Sequence, residues 1–127
     1  MARKPAQSYR DLLVWDAAMA LAEVVYRFTQ SFPKEEAYGL TSQMRRSGVS
    51  IASNIAEGYG RENRGSFVQF LRVAQGSLKE LETQAMIAKR VGIMPAEDEK
   101  ALLDRCEETG KMLRALIRTV QSKQAGE

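Results

Sequence analysis

Residues 49–61, VSIASNIAEGYGR, contain the polar side chains in this sequence that first suggest chemistry. Serines and an asparagine recur between isoleucines, and the stretch ends in a carboxylate, two glycines and an arginine. Such a set is typical of a polar active site, of an anion-binding loop, or of a helix that another helix approaches closely. Small side chains are frequent from Ser47 to Ala56, which favours the third interpretation and a helix buried on several sides.

Polar side chains on such a helix need hydrogen-bond partners. An unpaired buried polar group costs about 1–3 kcal/mol, so any buried asparagine or glutamate here must find a donor or acceptor. We therefore predict a structural polar network in place of an active site. Its predicted members are Gln43, Asn54, Glu57, Glu80 and Gln84.

Catalytic arrangements are disfavoured mainly by residue types that the chain lacks. The absence of histidine excludes histidine-based triads and the Glu-x-x-His metal pairs of ferritin-like bundles. The one cysteine, Cys106, falls on an apolar helical face and is interpreted as a core residue and not as a nucleophile. Lysine, tyrosine or paired-carboxylate chemistry is the remaining alternative. We predict a non-enzymatic protein with no catalytic residues, no metal and no cofactor.

Arginines supply the candidate binding residues. Arg45 and Arg46 diverge by about 100° on a helix, so the two cannot serve one surface equally. The favoured interpretation is a solvated face; the alternative is that one pairs with an acid inside the bundle while the other faces outward. The turn GYGRENRG, residues 58–65, is interpreted as a helix C-cap and a solvated turn, with phosphate binding by its amides and arginines as the alternative. The predicted nucleic-acid-binding candidates are Arg45, Arg46, Arg61, Arg64, Arg114 and Arg118.

The composition limits where the protein is expected to be located and what it is expected to bind. A net charge of +3 permits nucleic-acid binding without demanding it. The single cysteine suits a reducing compartment, and the longest apolar run, residues 17–22, is too short to span a membrane. The N-terminal residues do not have the pattern of a signal peptide. We predict a soluble cytoplasmic protein.

Four amphipathic helices must position these residues. Apolar side chains repeat at three- and four-residue steps, and we predict helix 1 over about residues 11–31, starting at the cap Asp11. Helix 2 should start afresh at Thr41 and end near Glu57, where Gly58 and Gly60 supply a left-handed stop.

The second half of the chain continues the pattern. Helix 3 should follow a cap at Asn63 or Ser66 and end at Gly92, and helix 4 should follow Pro95. The fold class predicted is all-α, an antiparallel up-down four-helix bundle. The bundle spans residues 11–123, between a flexible arm at residues 1–10 and a frayed tail at residues 124–127.

Three stretches also resemble a known family. DLLVW at residues 11–15, FPKEEAYGLTSQMRRSGVSIASNIAEGYGR at 32–61 and FLRVAQGSLKELETQ at 70–84 are similar to the proteins encoded in 23S ribosomal RNA intervening sequences. The resemblance extends over roughly residues 9–120. The residues that match the family pattern are Arg45, Arg46, Asn54, Glu57, Gly58, Arg61 and Glu80.

The resemblance implies a four-helix bundle that assembles into a homo-oligomer, with a pentameric ring as the expected form. A related branch is the accessory variability protein of diversity-generating retroelements, which works with a reverse transcriptase and its RNA. No catalytic residues come with the family.

The leading functional hypothesis is an oligomeric bundle that binds nucleic acid, structured RNA before DNA, through a basic surface. The alternative is a scaffold that binds another protein, such as a reverse transcriptase, and has no nucleic-acid role. A third hypothesis is a small-ligand sensor that uses the bundle interior.

Overall fold

The computed structural model of the chain describes residues 7–125, with side chains as far as residue 123. Residues 1–6 of the predicted arm and residues 126–127 of the predicted tail lie outside the described residues. The described chain has four α-helices and no strand, as the sequence predicts. These helices are α1 (Leu13–Thr29), α2 (Leu40–Tyr59), α3 (Arg64–Arg90) and α4 (Ala96–Ala125).

The four helices surround one apolar core. Helix α1 packs on α2 and α4, and α3 packs on the same two helices, whereas the described parts of the diagonal pairs α1–α3 and α2–α4 have no Cα atoms within 8 Å of each other. Each helix therefore has two neighbours, which is the arrangement of a four-helix bundle. Large side chains from all four helices are fully buried, including Leu21, Ile51, Leu81 and Leu102.

The start of α1 differs from the prediction. Asp11 does not cap this helix; it lies in a short 3-10 helix, Tyr9–Asp11, and the N-cap position falls to Leu12, which forms no side-chain cap bond. The Tyr9 ring packs edge-on against Trp15, with ring centroids 5.3 Å apart, and holds this turn against the bundle. The 3-10 helix thus overlaps the end of the segment predicted as a flexible arm.

Both ends of α2 also differ from the prediction. Thr41 is not the cap; Gly39 occupies the N-cap position, and the Glu36 carboxylate accepts a hydrogen bond from the Leu40 amide at 3.1 Å. At the other end, Gly58 and Gly60 do not form a left-handed stop, because α2 continues through Gly58 and Gly60 has a φ of −75°.

The left-handed residue in the α2–α3 turn is instead Glu62, with a φ of 57°. The turn is complete one residue later, where Asn63 caps α3 by accepting a hydrogen bond from the Ser66 amide at 2.9 Å. Gly92 has a φ of 84° and follows α3, as predicted. Helix α4 extends to Ala125, two residues beyond the predicted bundle end.

Candidate nucleic-acid interface

The polar stretch of α2 packs directly against α3. The Ser50 and Ser77 hydroxyls lie 2.8 Å apart, and both side chains are at least partly buried. The Asn54 amide donates to the Ser50 carbonyl at 2.8 Å and to the Ser50 hydroxyl at 2.9 Å. These bonds satisfy polar groups between two closely packed helices, so this part of the stretch has a structural role.

The predicted network residues are distributed over more than one place. Asn54 joins the serine pair, but the Glu57 carboxylate lies at the surface and pairs with Arg61 at 3.2 Å. The other three, Gln43, Glu80 and Gln84, line one groove between α2 and α3. The sequence analysis did not identify Ser50 and Ser77 as partners, because a serine within a helix does not indicate which residue of a neighbouring helix it will bond to.

Arg45 is held by helix α1. Its Nε donates to the Thr29 hydroxyl at 2.9 Å, and its guanidinium carbon lies 4.5 Å from the centre of the Tyr26 ring. The predicted divergence from Arg46 is present, because Arg46 is exposed. The partner of Arg45, however, is a hydroxyl and an aromatic ring and not the acid of the alternative interpretation.

Arg61 and Arg64 flank the α2–α3 turn and both contact protein groups. Arg61 pairs with Glu57 and lies over the Phe70 ring at 5.0 Å. Arg64 donates to the backbone carbonyl of Lys123 at 3.2 Å, which joins the start of α3 to the end of α4. The two arginines that the phosphate alternative requires therefore already have protein partners.

Three cations meet in a groove between α3 and α4. Arg72 and Lys79 come from α3 and Arg114 from α4, around an open volume of about 390 Å³. No carboxylate is among the described residues that line this groove. Arg118 lies one turn beyond Arg114 and is exposed. We call these four residues the α3–α4 basic surface.

Two members of this surface, Arg72 and Lys79, were not among the sequence-based candidates. Their spacing of seven residues places them on one face of α3, and this is the signal that was available. That signal becomes informative only once α4 is known to lie beside the same face. Lys79 also pairs with Glu82 at 3.2 Å, and Arg72 donates to Gln75 at 3.3 Å.

Cys106 belongs to the core, as expected. It has no exposed surface, and burial, followed by the nearby Glu82 carboxylate, raises the pKa of its thiol to about 12. The thiol therefore stays protonated at neutral pH and is a poor nucleophile.

Two further observations concern metals and membranes. Within residues 7–125, no three histidine, cysteine, aspartate or glutamate side chains come together as metal ligands would. None of the described helices combines the length and apolar character needed to cross a membrane.

The fold is similar to that of a solved structure. A protein with unknown function from the S23 ribosomal protein family of Bacteroides thetaiotaomicron superposes with a TM-score of 0.74 at 24% sequence identity. The match covers 83% of this chain and 98% of that one. Among curated proteins, none matches this chain. The model of the 23S rRNA-intervening sequence protein family matches residues 10–115, which is most of the chain, and the protein therefore belongs to that family.

Proposed function

We propose that this protein is a non-enzymatic, homo-oligomeric helical bundle that binds nucleic acid, structured RNA in particular, through the α3–α4 basic surface. The observation that carries the proposal is the groove in which Arg72, Lys79 and Arg114 meet without a lining carboxylate. Guanidinium and ammonium groups bind phosphate oxygens, and the release of condensed counterions drives the association. Family membership supports an RNA connection through the ribosomal RNA in the family's description.

The other candidate arginines contribute differently in this proposal. Arg46 is exposed and adds positive charge beside α2, whereas Arg45, Arg61 and Arg64 have protein partners that they would share with a phosphate. Arg118 extends the basic surface along α4.

The proposal includes an antiparallel up-down order of the four helices. Residues 60–63 connect α2 to α3 and residues 91–95 connect α3 to α4. Connections this short do not return along a helix of 20 residues, which is about 30 Å long. The contacts of Ser50 with Ser77, and of Gly58 with Phe70, support opposite directions for α2 and α3.

Self-association is supported by an apolar groove between α1 and α2. Met19, Tyr26 and Val49 remain about two-fifths exposed there, around an open volume of about 590 Å³. The rim carries Glu23 and Arg27, charges of opposite sign that a second copy of the chain would complement. A pentamer would carry a formal charge of +15, five times the +3 of one chain. Repeating the basic surface in this way strengthens binding to one long RNA.

The test is RNA binding by the purified protein across a range of salt concentrations, with the mass of the assembly measured in the same buffers. The test variant is Arg72→Gln/Arg114→Gln. The control is Lys34→Gln/Arg90→Gln, which lowers the net charge equally away from the groove. We expect the test variant to lose most of its affinity and the control to retain it. Equal affinities for the two variants would reject the α3–α4 basic surface as the RNA site.

The apolar α1–α2 groove also favours one alternative. As an interaction scaffold, the protein would bind a second protein, such as a reverse transcriptase, through this groove, and salt would have little effect. Met19→Glu would then abolish partner binding, while the Arg72→Gln/Arg114→Gln variant would leave it unchanged. The cytoplasmic location stays a prediction under both functions.

A further inference from the structure

A second groove lies on the other side of α3, between α3 and α2, and has a volume of about 410 Å³. All seven of its described lining residues carry polar side chains, although the groove sits between two helices that pack through an apolar core. Arg46 and Glu80 stand at its exposed edges, and Gln84 lies deeper. Such a size falls within the range of small-ligand sites, and the convergence of polar groups is typical of them.

Gln84 provides the observation that points to a ligand. Its Oε1 atom is fully buried and has no hydrogen-bond partner. A buried acceptor that lacks a donor is energetically costly, so native proteins rarely leave one unmatched. Gln84 lines the groove, so rotation of its amide would turn this oxygen toward an N–H group of a ligand bound there.

The charged residues at the two edges of the groove indicate which hydrogen-bonding groups the ligand carries. Neither Arg46 nor Glu80 forms an ion pair with another described side chain. Arg46 offers N–H donors, and Glu80, like Gln84, offers acceptor oxygens. The ligand should therefore present acceptors along one edge and N–H donors along another.

The groove also adjoins the α3–α4 basic surface. Gly76 lines the basic groove, and Glu80, one turn along α3, lines the polar groove. A Cβ placed on Gly76 would contact nothing within 4 Å, so no side chain covers the outer face of α3 at this point. The distance across a helix is about 10 Å, which a single nucleotide can cover from its phosphate to its base.

We propose that the α2–α3 groove binds an unstacked guanine base of the RNA whose phosphates lie on the α3–α4 basic surface. Guanine carries the N7 and O6 acceptors that arginine binds, and its Watson–Crick edge carries the N–H donors for Glu80 and Gln84. Adenine has a single exocyclic amine on that edge, and uracil has no amine. This proposal rests on the proposed RNA function and adds base specificity to it.

The experiment uses a hairpin RNA with one guanine in a uridine loop, and three versions with adenine, inosine or 7-deazaguanine at that position. Inosine lacks the exocyclic amine, and 7-deazaguanine lacks the N7 acceptor. We expect the protein to bind the guanine loop about tenfold more tightly than the adenine loop, with the two analogues in between. Equal affinity for all four loops would overturn the proposal.

Two variants remove the groove's acceptors without removing its shape. Glu80→Met and Gln84→Met should abolish the preference for guanine, so that each variant binds the guanine and adenine loops with equal affinity. Glu35→Gln, at an exposed carboxylate in the α1–α2 connection, is the control and should keep the preference. Retention of the preference in both groove variants would contradict the proposal.

The same variants distinguish failure of this proposal from failure of the RNA function. Arg72→Gln/Arg114→Gln should weaken binding of all four RNAs by the same factor, because phosphate contacts do not read the base. If no RNA binds at all, titration with guanosine 5′-monophosphate decides the question. Saturable binding that is lost in Gln84→Met would retain the groove as a guanine site, and no binding would reject it.

Discussion

Gly58 on α2 and Phe70 on α3 lie so close together that a Cβ placed on Gly58 would be 2.6 Å from the Cβ of Phe70. A Phe70 Cβ cannot rotate away, because it is bonded directly to the backbone. The glycine is therefore needed for the approach of the two helices and not for a turn. This approach sets the position of α3, which contributes residues to both proposed binding grooves.

Adding one methyl group at this contact should loosen the α2–α3 interface. We expect Gly58→Ala to lower the free energy of unfolding by about 1–3 kcal/mol, as overpacking does in a filled core. Gly76→Ala is the matched control, because its Cβ meets open space. The control should stabilise the protein by up to about 1 kcal/mol, since alanine favours a helix over glycine. Urea denaturation of both variants measures the difference, and an equally stable Gly58→Ala variant would contradict this account.

The Ser50–Ser77 contact should contribute measurably to stability. We expect Ser77→Ala to cost about 1 kcal/mol, the usual net value of a hydrogen bond. Ser50→Ala should cost more, because Asn54 also donates to the Ser50 hydroxyl. Ser122→Ala, at an exposed position on α4, should change little. A double-mutant cycle with near-zero coupling between Ser50 and Ser77 would show that their bond adds nothing.

Adjacent arginines should respond differently to the same substitution. Arg45→Lys retains the charge but loses the planar group that stacks on Tyr26 and donates to Thr29. We expect it to lower the free energy of unfolding by about 0.5–1 kcal/mol, the size of an exposed cation–π contact. Arg46→Lys, one residue away and exposed, should have no effect on thermal unfolding. Equal changes in the two variants would mean that the Arg45 contacts do not stabilise the fold.

The salt dependence of RNA binding should report the number of phosphate contacts. A plot of log affinity against log salt has a slope of about −0.7 for each phosphate bound on a single strand. Removing Arg118 with Arg118→Gln should make this slope shallower by about 0.7 if Arg118 contacts one phosphate. Arg90→Gln, at the far end of α3, should leave the slope unchanged, and a slope that changes equally in both variants would argue against a defined contact.

Cys106 should make the free energy of unfolding fall as the pH rises into the alkaline range. Because its thiol pKa is raised from 9.0 to about 12, the folded protein holds this proton more tightly than the unfolded chain. The stabilising contribution is complete below pH 9 and is lost progressively as the pH rises from about 9 to about 12. The free energy of unfolding should therefore fall more steeply over this range in the native protein than in Cys106→Ala. Parallel pH profiles for the two proteins would contradict the shift.

Much of the fold was predictable from local patterns. The apolar repeats of Phe67, Leu71, Ala74 and Leu78 in α3 occur within one helix, so they can be read from consecutive residues. Asn63 was one of two predicted caps and is the observed one, since its side chain needs only a nearby amide. Gly58 was misread, because a glycine that ends a helix and a glycine that admits a neighbouring helix look the same in a sequence.

The candidate site was less predictable than the fold. Arg114 and Arg118 were identified from the basic half of helix 4, but Arg72 and Lys79 were not, because their role depends on which helix lies beside them. The groove residues Gln43, Glu80 and Gln84 were predicted as a network, whereas the structure leaves the Gln84 oxygen without a partner.

The sequence by itself determined four amphipathic helices, the lack of histidine chemistry and the family. These properties follow from residue types and from their spacing along a single segment, because an α-helix makes one turn every 3.6 residues. Only the tertiary structure decided that Arg72 and Lys79 meet Arg114, and that Arg45 binds Thr29 while Arg46 faces solvent. The reason is physical: these contacts depend on the register between helices, and register is set by the packing of side chains that are far apart in the sequence.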